Sequence, residues 1–265
     1  MTSENVPPKV DTRTVSPARR WNYWLGGKDH FQVDRDSGEM IAAAYPAVRT
    51  TARQGRAFHN RAVRHLAEAG IRQFIDIGTG LPAPDNTHEV AQRVAADCKV
   101  VYVDNDPMVL SHARALMIGG VTTYVDGDLN EPGAILGSAE LKETVDLSRP
   151  VGILLIAVLH FIRDDGDARR VVRELLDAAA PGSYLVATNS TKDFVSPEAA
   201  ARYDAMLASG AVDAWPRDRE VFGGFFDGLE LVDPGVVAMS DWRPGSGERP
   251  APAEVSMYGA VARKL

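Results

Sequence analysis

The spacing of apolar residues divides the chain into two kinds of segment. From Ser16 to about residue 69, apolar positions recur every three or four residues, which is the helical period. Ser16-Pro17 offers an N-cap followed by proline at the first helical position, and Gly26-Gly27 offers the stop. Between them Trp21, Trp24 and Leu25 fall at i, i+3 and i+4 and share a face. A second helix, capped by Asp34, runs to about Tyr45, where Pro46 breaks it. A third, over about 47 to 69, carries Val48, Ala52, Ala57, Phe58, Ala62, Val63 and Leu66 and ends at Gly70.

From Ile71 the pattern changes to short apolar runs alternating with helical stretches. Runs at 74–77, 99–103, 121–125, 151–156 and 183–188 read as buried parallel strands. Helices are expected at about 86–96, 107–117, 167–180, 197–208 and 217–226. Asn86 with Glu89 three residues on forms a capping-box pattern. The last two runs, 229–232 and 255–262, are separated by a Pro/Gly-rich loop without a helix, which predicts an antiparallel hairpin at the sheet edge. The expected organisation is a flexible arm over 1–14, a helical cap over 15–69 and an α/β domain over 70–265.

Composition narrows the class. The 265 residues are 45% hydrophobic and 25% charged, enough for a full globular core. A net charge of −7 argues against a broad nucleic-acid surface. Cys98 is the only cysteine, which removes an intrachain disulfide and a cysteine zinc site, and no metal-ligand pattern appears. There is no transmembrane-length apolar run and no signal-peptide core, so a cytoplasmic protein is expected.

The chemistry concentrates at three strand ends. Phe74-Ile75-Asp76-Ile77 runs into Gly78-Thr79-Gly80, the second strand into Asp104-Asn105-Asp106, and the third into Asp126-Gly127-Asp128-Leu129. In an open α/β sheet, ligands sit beyond the carboxyl ends of strands at the topological switch point, so these ends describe one adenosine-type pocket. Gly78 to Ala83 matches the dinucleotide fingerprint G-x-G-x-x-A, but Pro82 to Asp85 delay the next helix past the glycines. Asp76 suits a cationic amino group or sulfonium better than a phosphate. Asp104 is placed to accept from both ribose hydroxyls. Asp128 and Leu129 can meet an exocyclic amine and an apolar ring; Asp106, before Pro107, reads as a helix cap. His160, ending the fourth strand, is a general-base candidate or equally a hydrogen-bonded histidine shaping the pocket. His59, His65 and the arginines at 49, 53, 56, 61 and 64 read as a solvated helix face. The turn Gly26-Gly27-Lys28-Asp29 after two tryptophans suggests a lid over the ligand, with Tyr23, Gly26 and Lys28 as its contacts.

Together these stretches resemble class I S-adenosylmethionine-dependent methyltransferases, and more narrowly a bacterial S-adenosyl methyltransferase family formerly filed as a domain of unknown function. The carrying residues are Ser16 to Arg19, Tyr23-Trp24-Leu25-Gly26-Gly27-Lys28-Asp29, Ile71 to Pro82, Asn86 to Ala91, Val101 to Pro107 and Ala157-Val158-Leu159-His160-Phe161. The resemblance implies a Rossmann-like, mostly parallel seven-stranded sheet whose last strand is antiparallel. It implies S-adenosyl-L-methionine as cofactor, with the methionine end over Asp76 to Gly80, including Thr79, ribose at Asp104, adenine near Asn105, Asp128 and Leu129, and Val158 alongside. A small-molecule methyl acceptor follows as the expected partner. The alternatives are an NAD-dependent oxidoreductase and a non-catalytic cofactor-binding module. The usual third glycine of the first motif is replaced here by the Leu81-Pro82 region.

Overall fold

The computed structural model describes residues 10–116, 122–247 and 249–265. Most of the expected arm (1–9), Met117 at the expected end of a helix and Val121 at the expected start of a strand lie outside the described residues. Three helices come first: α1 (Pro17–Trp24), α2 (Gln32–Ala44) and α3 (Val48–Glu68). The alternating part follows as β1 (Gln73–Ile77), α4 (Thr87–Val94), β2 (Lys99–Asp104), α5 (Pro107–Leu116), β3 (Thr122–Asp126), α6 (Pro132–Gly137) and α7 (Ala139–Thr144). It continues through β4 (Gly152–Leu155), α8 (Asp165–Ala178), β5 (Tyr184–Ser190), α9 (Pro197–Ala208), α10 (Arg219–Gly223), β6 (Leu229–Leu231), β7 (Val237–Ala238) and β8 (Met257–Lys264). Helices α6 and α7 were not expected; at 6 residues each they are too short to display a helical period.

The sheet runs β3-β2-β1-β4-β5-β8-β6, with β7 pairing to β8 off that path. The first five strands are parallel, and β8 lies between β5 and β6, antiparallel to both. Seven strands were expected; the two-residue β7 makes an eighth among the described residues. The order reverses between β1 and β4, so the crevice at their carboxyl ends is the switch point.

Period-2 alternation sorts each strand's side chains. Ile75, Ile77, Val101 and Val103 enter the core against α8, while Phe74, Val100 and Tyr102 enter the core against α3 and α4. Asp76 and Asp104 continue that second series, which turns both carboxylates toward α3 and α4. Phe58 and Leu66 of α3 and Phe74 of β1 are fully buried, and each contributes about 1.5–3 kcal/mol to clamping α3 on the sheet. A third cluster joins Trp24, Ile41, Val48 and Ala52 of the N-terminal helices to Val212, with Tyr203 and Met206 of α9 packed on it. Trp21 packs both on this cluster and on the core between the sheet and α3, which ties α1 to the sheet. No described helix is long and apolar enough to cross a membrane.

Candidate functional site

The first strand end is shaped by backbone geometry. Gly78 and Gly80 take φ of 70° and 68°, a left-handed conformation that disfavours side chains. A Cβ on Gly78 would stand 2.6 Å from Val158 of the loop after β4, whereas one on Gly80 would meet nothing within 4 Å. Gly78 therefore lets the two strand ends approach each other, and Gly80 leaves room above them. Asp104 answers from β2: its carboxylate accepts the Gly80 N–H at 2.8 Å and the Asp106 N–H at 2.9 Å. Burial raises its pKa to about 6, although those N–H groups oppose the shift. Asp106 accepts the Met108 N–H at 2.7 Å, the helix-capping role expected of it.

Asp76 is buried and wired to two helices. Thr87 of α4 donates its hydroxyl to Asp76, and His59 of α3 places Nε2 2.7 Å from the Thr87 oxygen and 3.7 Å from Asp76. Because the Thr87 proton goes to Asp76, its oxygen accepts from His59 Nε2. This corrects the reading of His59 as exposed: it is only 3% accessible. The signal lay in its spacing from Ala52, Ala62 and Val63, all on the buried face. His65 is half-buried against Trp242. Arg56 is partly buried, donates to the Pro84 and Asp85 carbonyls at 3.1 and 2.8 Å, and has an Nε without a partner. Arg61 donates to the Trp242 and Met239 carbonyls. The solvated-face reading therefore fails for Arg56 and Arg61 as well.

These groups surround a cavity of about 570 Å³. Asp76, Gly78, Thr79, Gly80, Asp104, Asn105, Asp128, Leu129 and Val158 all line it, nine of the twelve expected cofactor contacts. Asp128 is exposed and accepts the Asn130 backbone and side-chain N–H groups at 2.9 and 2.8 Å, so it is also a turn residue. The far wall comes from Pro17, Ala18, Trp21, Asn22 and Leu25 of α1 and the residue after it, with Gly55, Arg56 and His59 of α3.

Tyr23, Gly26 and Lys28 do not line this cavity. Two residues along a helix turn about 200°, so with Trp21 facing inward, Tyr23 faces away. Its hydroxyl bonds Glu39 and its ring packs under Arg49, 5.5 Å from the guanidinium carbon. Gly26 and Lys28 are exposed beyond the helix end. What holds α1 over the sheet was not anticipated. Ser16 donates its hydroxyl to Asp106, and buried Asp34 accepts the Ser16 N–H at 2.9 Å and Arg19 Nε at 3.0 Å.

His160 also stands outside the larger cavity. It lines a second one of about 120 Å³, bordered by α1, α2, α9 and the loop through Asp213. Pro17, Trp21 and Phe161 line both cavities. Burial lowers the His160 pKa to about 4, so the ring is neutral at physiological pH. Arg217 braces this region, donating to the Leu159 and Ile162 carbonyls at 3.0 and 2.7 Å and to Asn189 Oδ1 at 3.0 Å. Among the described residues, no group of three His, Cys, Asp or Glu side chains could hold a metal.

The model of a family described as S-adenosyl methyltransferase matches residues 3–265. A DUF574 family protein from Streptomyces avermitilis is 41% identical, with a TM-score of 0.91 over 97% of this chain and 100% of its own. A Thermobifida fusca protein is 38% identical, with a TM-score of 0.90 over 99% of each chain. The N-methyltransferase NodS of Bradyrhizobium japonicum, solved with S-adenosyl-L-homocysteine, shares the fold at 15% identity and a TM-score of 0.50, over 79% of this chain and 86% of its own. No curated protein matches this chain.

Proposed function

The chain belongs to the S-adenosyl methyltransferase family, and from that premise we propose that it transfers a methyl group from S-adenosyl-L-methionine to a small molecule. The observation that carries this reading is the convergence of Asp76, the Gly78–Gly80 turn and Asp104 on one 570 Å³ cavity at the switch point. The cavity's residues fit the cofactor's parts. Gly80 leaves open the space a side chain would fill. Asp104, a buried carboxylate with a pKa raised to about 6, is suited to accept two further hydrogen bonds from ribose hydroxyls. Asp76, oriented by Thr87 and His59, would hold the amino group, and Arg56 would meet the carboxylate. Asn105, Asp128 and Leu129 would border the adenine, with Thr79 and Val158 beside the methionine end. A dinucleotide fits less well, because α4 begins only at Thr87 and so does not open directly on the glycine turn as a pyrophosphate-binding helix does.

When bound, S-adenosylmethionine supplies an electrophilic methyl group on its sulfonium. The chain's share is to align the acceptor with that group and to keep water out. Trp21, Asn22 and Leu25 of the α1 segment form the wall suited to that exclusion. The test is calorimetry of the whole protein with S-adenosylhomocysteine and with NAD, followed by incubation with methyl-labelled S-adenosylmethionine and fractionated cell extract. Binding of S-adenosylhomocysteine but not NAD, with label entering a low-molecular-weight product, is expected. NAD binding without S-adenosylhomocysteine binding would overturn the reading; cofactor binding without transfer in any fraction would leave a binding module.

A further inference from the structure

The second cavity has the properties of a specificity pocket. It adjoins the larger one through Pro17, Trp21 and Phe161. Its volume of about 120 Å³ approaches the roughly 150 Å³ of an engineered apolar cavity that binds benzene. One six-membered ring is thus the scale of its occupant. Its charged side chains already pair with one another or with neighbours: Arg20 with Asp213, and Lys192 with Asp204 at 2.7 Å. An ionised ring would therefore enter without a counter-charge and lose its hydration.

Among its lining residues, Arg20 Nε, His160 Nδ1 and Ser190 Oγ are buried without a hydrogen-bond partner, and the last two can exchange hydrogen bonds with an uncharged ligand. The His160 side chain is only 5% exposed, yet its Nδ1 is buried with no hydrogen-bond partner. The residue is held in place, since its carbonyl accepts the Trp215 N–H at 2.7 Å. The Ser190 hydroxyl, beside the Tyr203 hydroxyl in the same wall, is likewise buried and has no partner in full hydrogen-bond geometry. Buried polar atoms are nearly always satisfied, so two together in a ring-sized cavity point to a ligand that satisfies them.

Resting on the methyltransferase reading above, we propose that this cavity binds the methyl acceptor, and that the acceptor is an uncharged single-ring compound carrying a hydroxyl or a similar hydrogen-bonding group. His160 and Ser190 bind and orient that group, and Trp21 stands between this cavity and the larger one. His160, neutral at physiological pH, serves as a hydrogen-bond partner.

Phenol is the probe, with toluene, benzoate and benzylammonium as controls. Each is titrated calorimetrically into the full-length protein saturated with S-adenosylhomocysteine. Phenol is expected to bind at least tenfold more tightly than either charged ring. Ala199→Leu, which pushes a larger side chain into the cavity from α9, is expected to weaken phenol at least tenfold. Ser190→Ala and His160→Phe are expected to lower the ratio of phenol to toluene affinity several-fold. S-adenosylhomocysteine binding, measured first for every variant, is expected to stay within twofold and so reports an intact fold. Absent phenol binding, equal binding of the charged rings, or undiminished phenol binding by Ala199→Leu would overturn this assignment while leaving the cofactor reading standing. Failure of the unmodified protein to bind S-adenosylhomocysteine would remove both.

Discussion

The strand-end side of the larger cavity and its helical side are built in different ways. The strand ends present backbone turns and carboxylates: Gly78 and Gly80 in left-handed conformation, Asp76 and Asp104 buried below them. The helical side presents side chains from α1 and α3 and depends on contacts remote in sequence. Ser16 reaches Asp106 across 90 positions, and Arg19 reaches Asp34 in a fully buried pair. The strand ends are positioned by the sheet's hydrogen-bond ladder, whereas α1 is positioned by the ion pairs of Arg19 with Asp34 and Arg20 with Asp213, the Ser16 hydroxyl and the packing of Trp24. The floor should therefore respond to backbone and charge substitutions in place. The wall should respond to substitutions that never touch the cavity.

The largest effect is expected on the helical side. Asp34→Ala leaves the Arg19 guanidinium buried without its partner and should destabilise the protein by about 3–5 kcal/mol in urea unfolding. It should also weaken S-adenosylhomocysteine several-fold, although Asp34 does not line the cavity. A loss below about 1 kcal/mol would mean that this pair does not hold α1. On the floor, Gly78→Ala combines a left-handed backbone with a Cβ 2.6 Å from Val158. A cost of about 2–4 kcal/mol is expected, with cofactor binding lost even where the variant folds. Wild-type affinity in that variant would contradict the need for close approach.

Smaller effects sharpen the contrast. Asp104→Ala should weaken S-adenosylhomocysteine by about 1–3 kcal/mol with the helical side undisturbed. The same carboxylate sets a pH dependence. With its pKa at about 6 in the free protein, Asp104 is mostly ionised at pH 7.5 and mostly protonated at pH 5. Ribose hydroxyls favour the ionised form, so affinity should be full above about pH 7 and fall roughly tenfold by pH 5. Calorimetry at the two pH values checks the sign; a flat profile in the wild type would separate Asp104 from the ribose. The smallest effect belongs to Tyr23→Phe. Its hydroxyl contacts Glu39 and Arg49 outside the cavity, so cofactor affinity should stay within twofold. A tenfold loss would put Tyr23 back in the site.

What was legible in the chain follows this division. The run from Phe74 to Gly80 announced a buried strand and a tight turn, and Asp104 and Asp128 announced strand ends, because each signal is local: apolar period, glycine, acid. The helix expected at about 197–208 is Pro197–Ala208, with the Ser196 side chain capping its N-terminus. Local signals also misled. Tyr23, Gly26 and Lys28 are near Trp21 along the chain, but the helix period turns Tyr23 away from it and Gly26 and Lys28 lie exposed past the helix end. His59 and Arg56 were read by their charge, although the spacing of Ala52, Ala62 and Val63 already put His59 on the inner face.

Local pattern along the chain sets the alternation of strand and helix, the antiparallel ending and the acids and glycines at the strand tips, because these depend on residues within a turn or a strand of one another. Packing between distant elements is what makes His59 and Thr87 orient Asp76, lets Ser16 and Asp34 hold α1 over the sheet, and turns His160 to a second cavity. Those relations join residues 11 to 90 positions apart or more, and their geometry is set by how helices pack on the sheet. No periodicity in the chain encodes a distance between two elements, whereas close packing of buried side chains selects it.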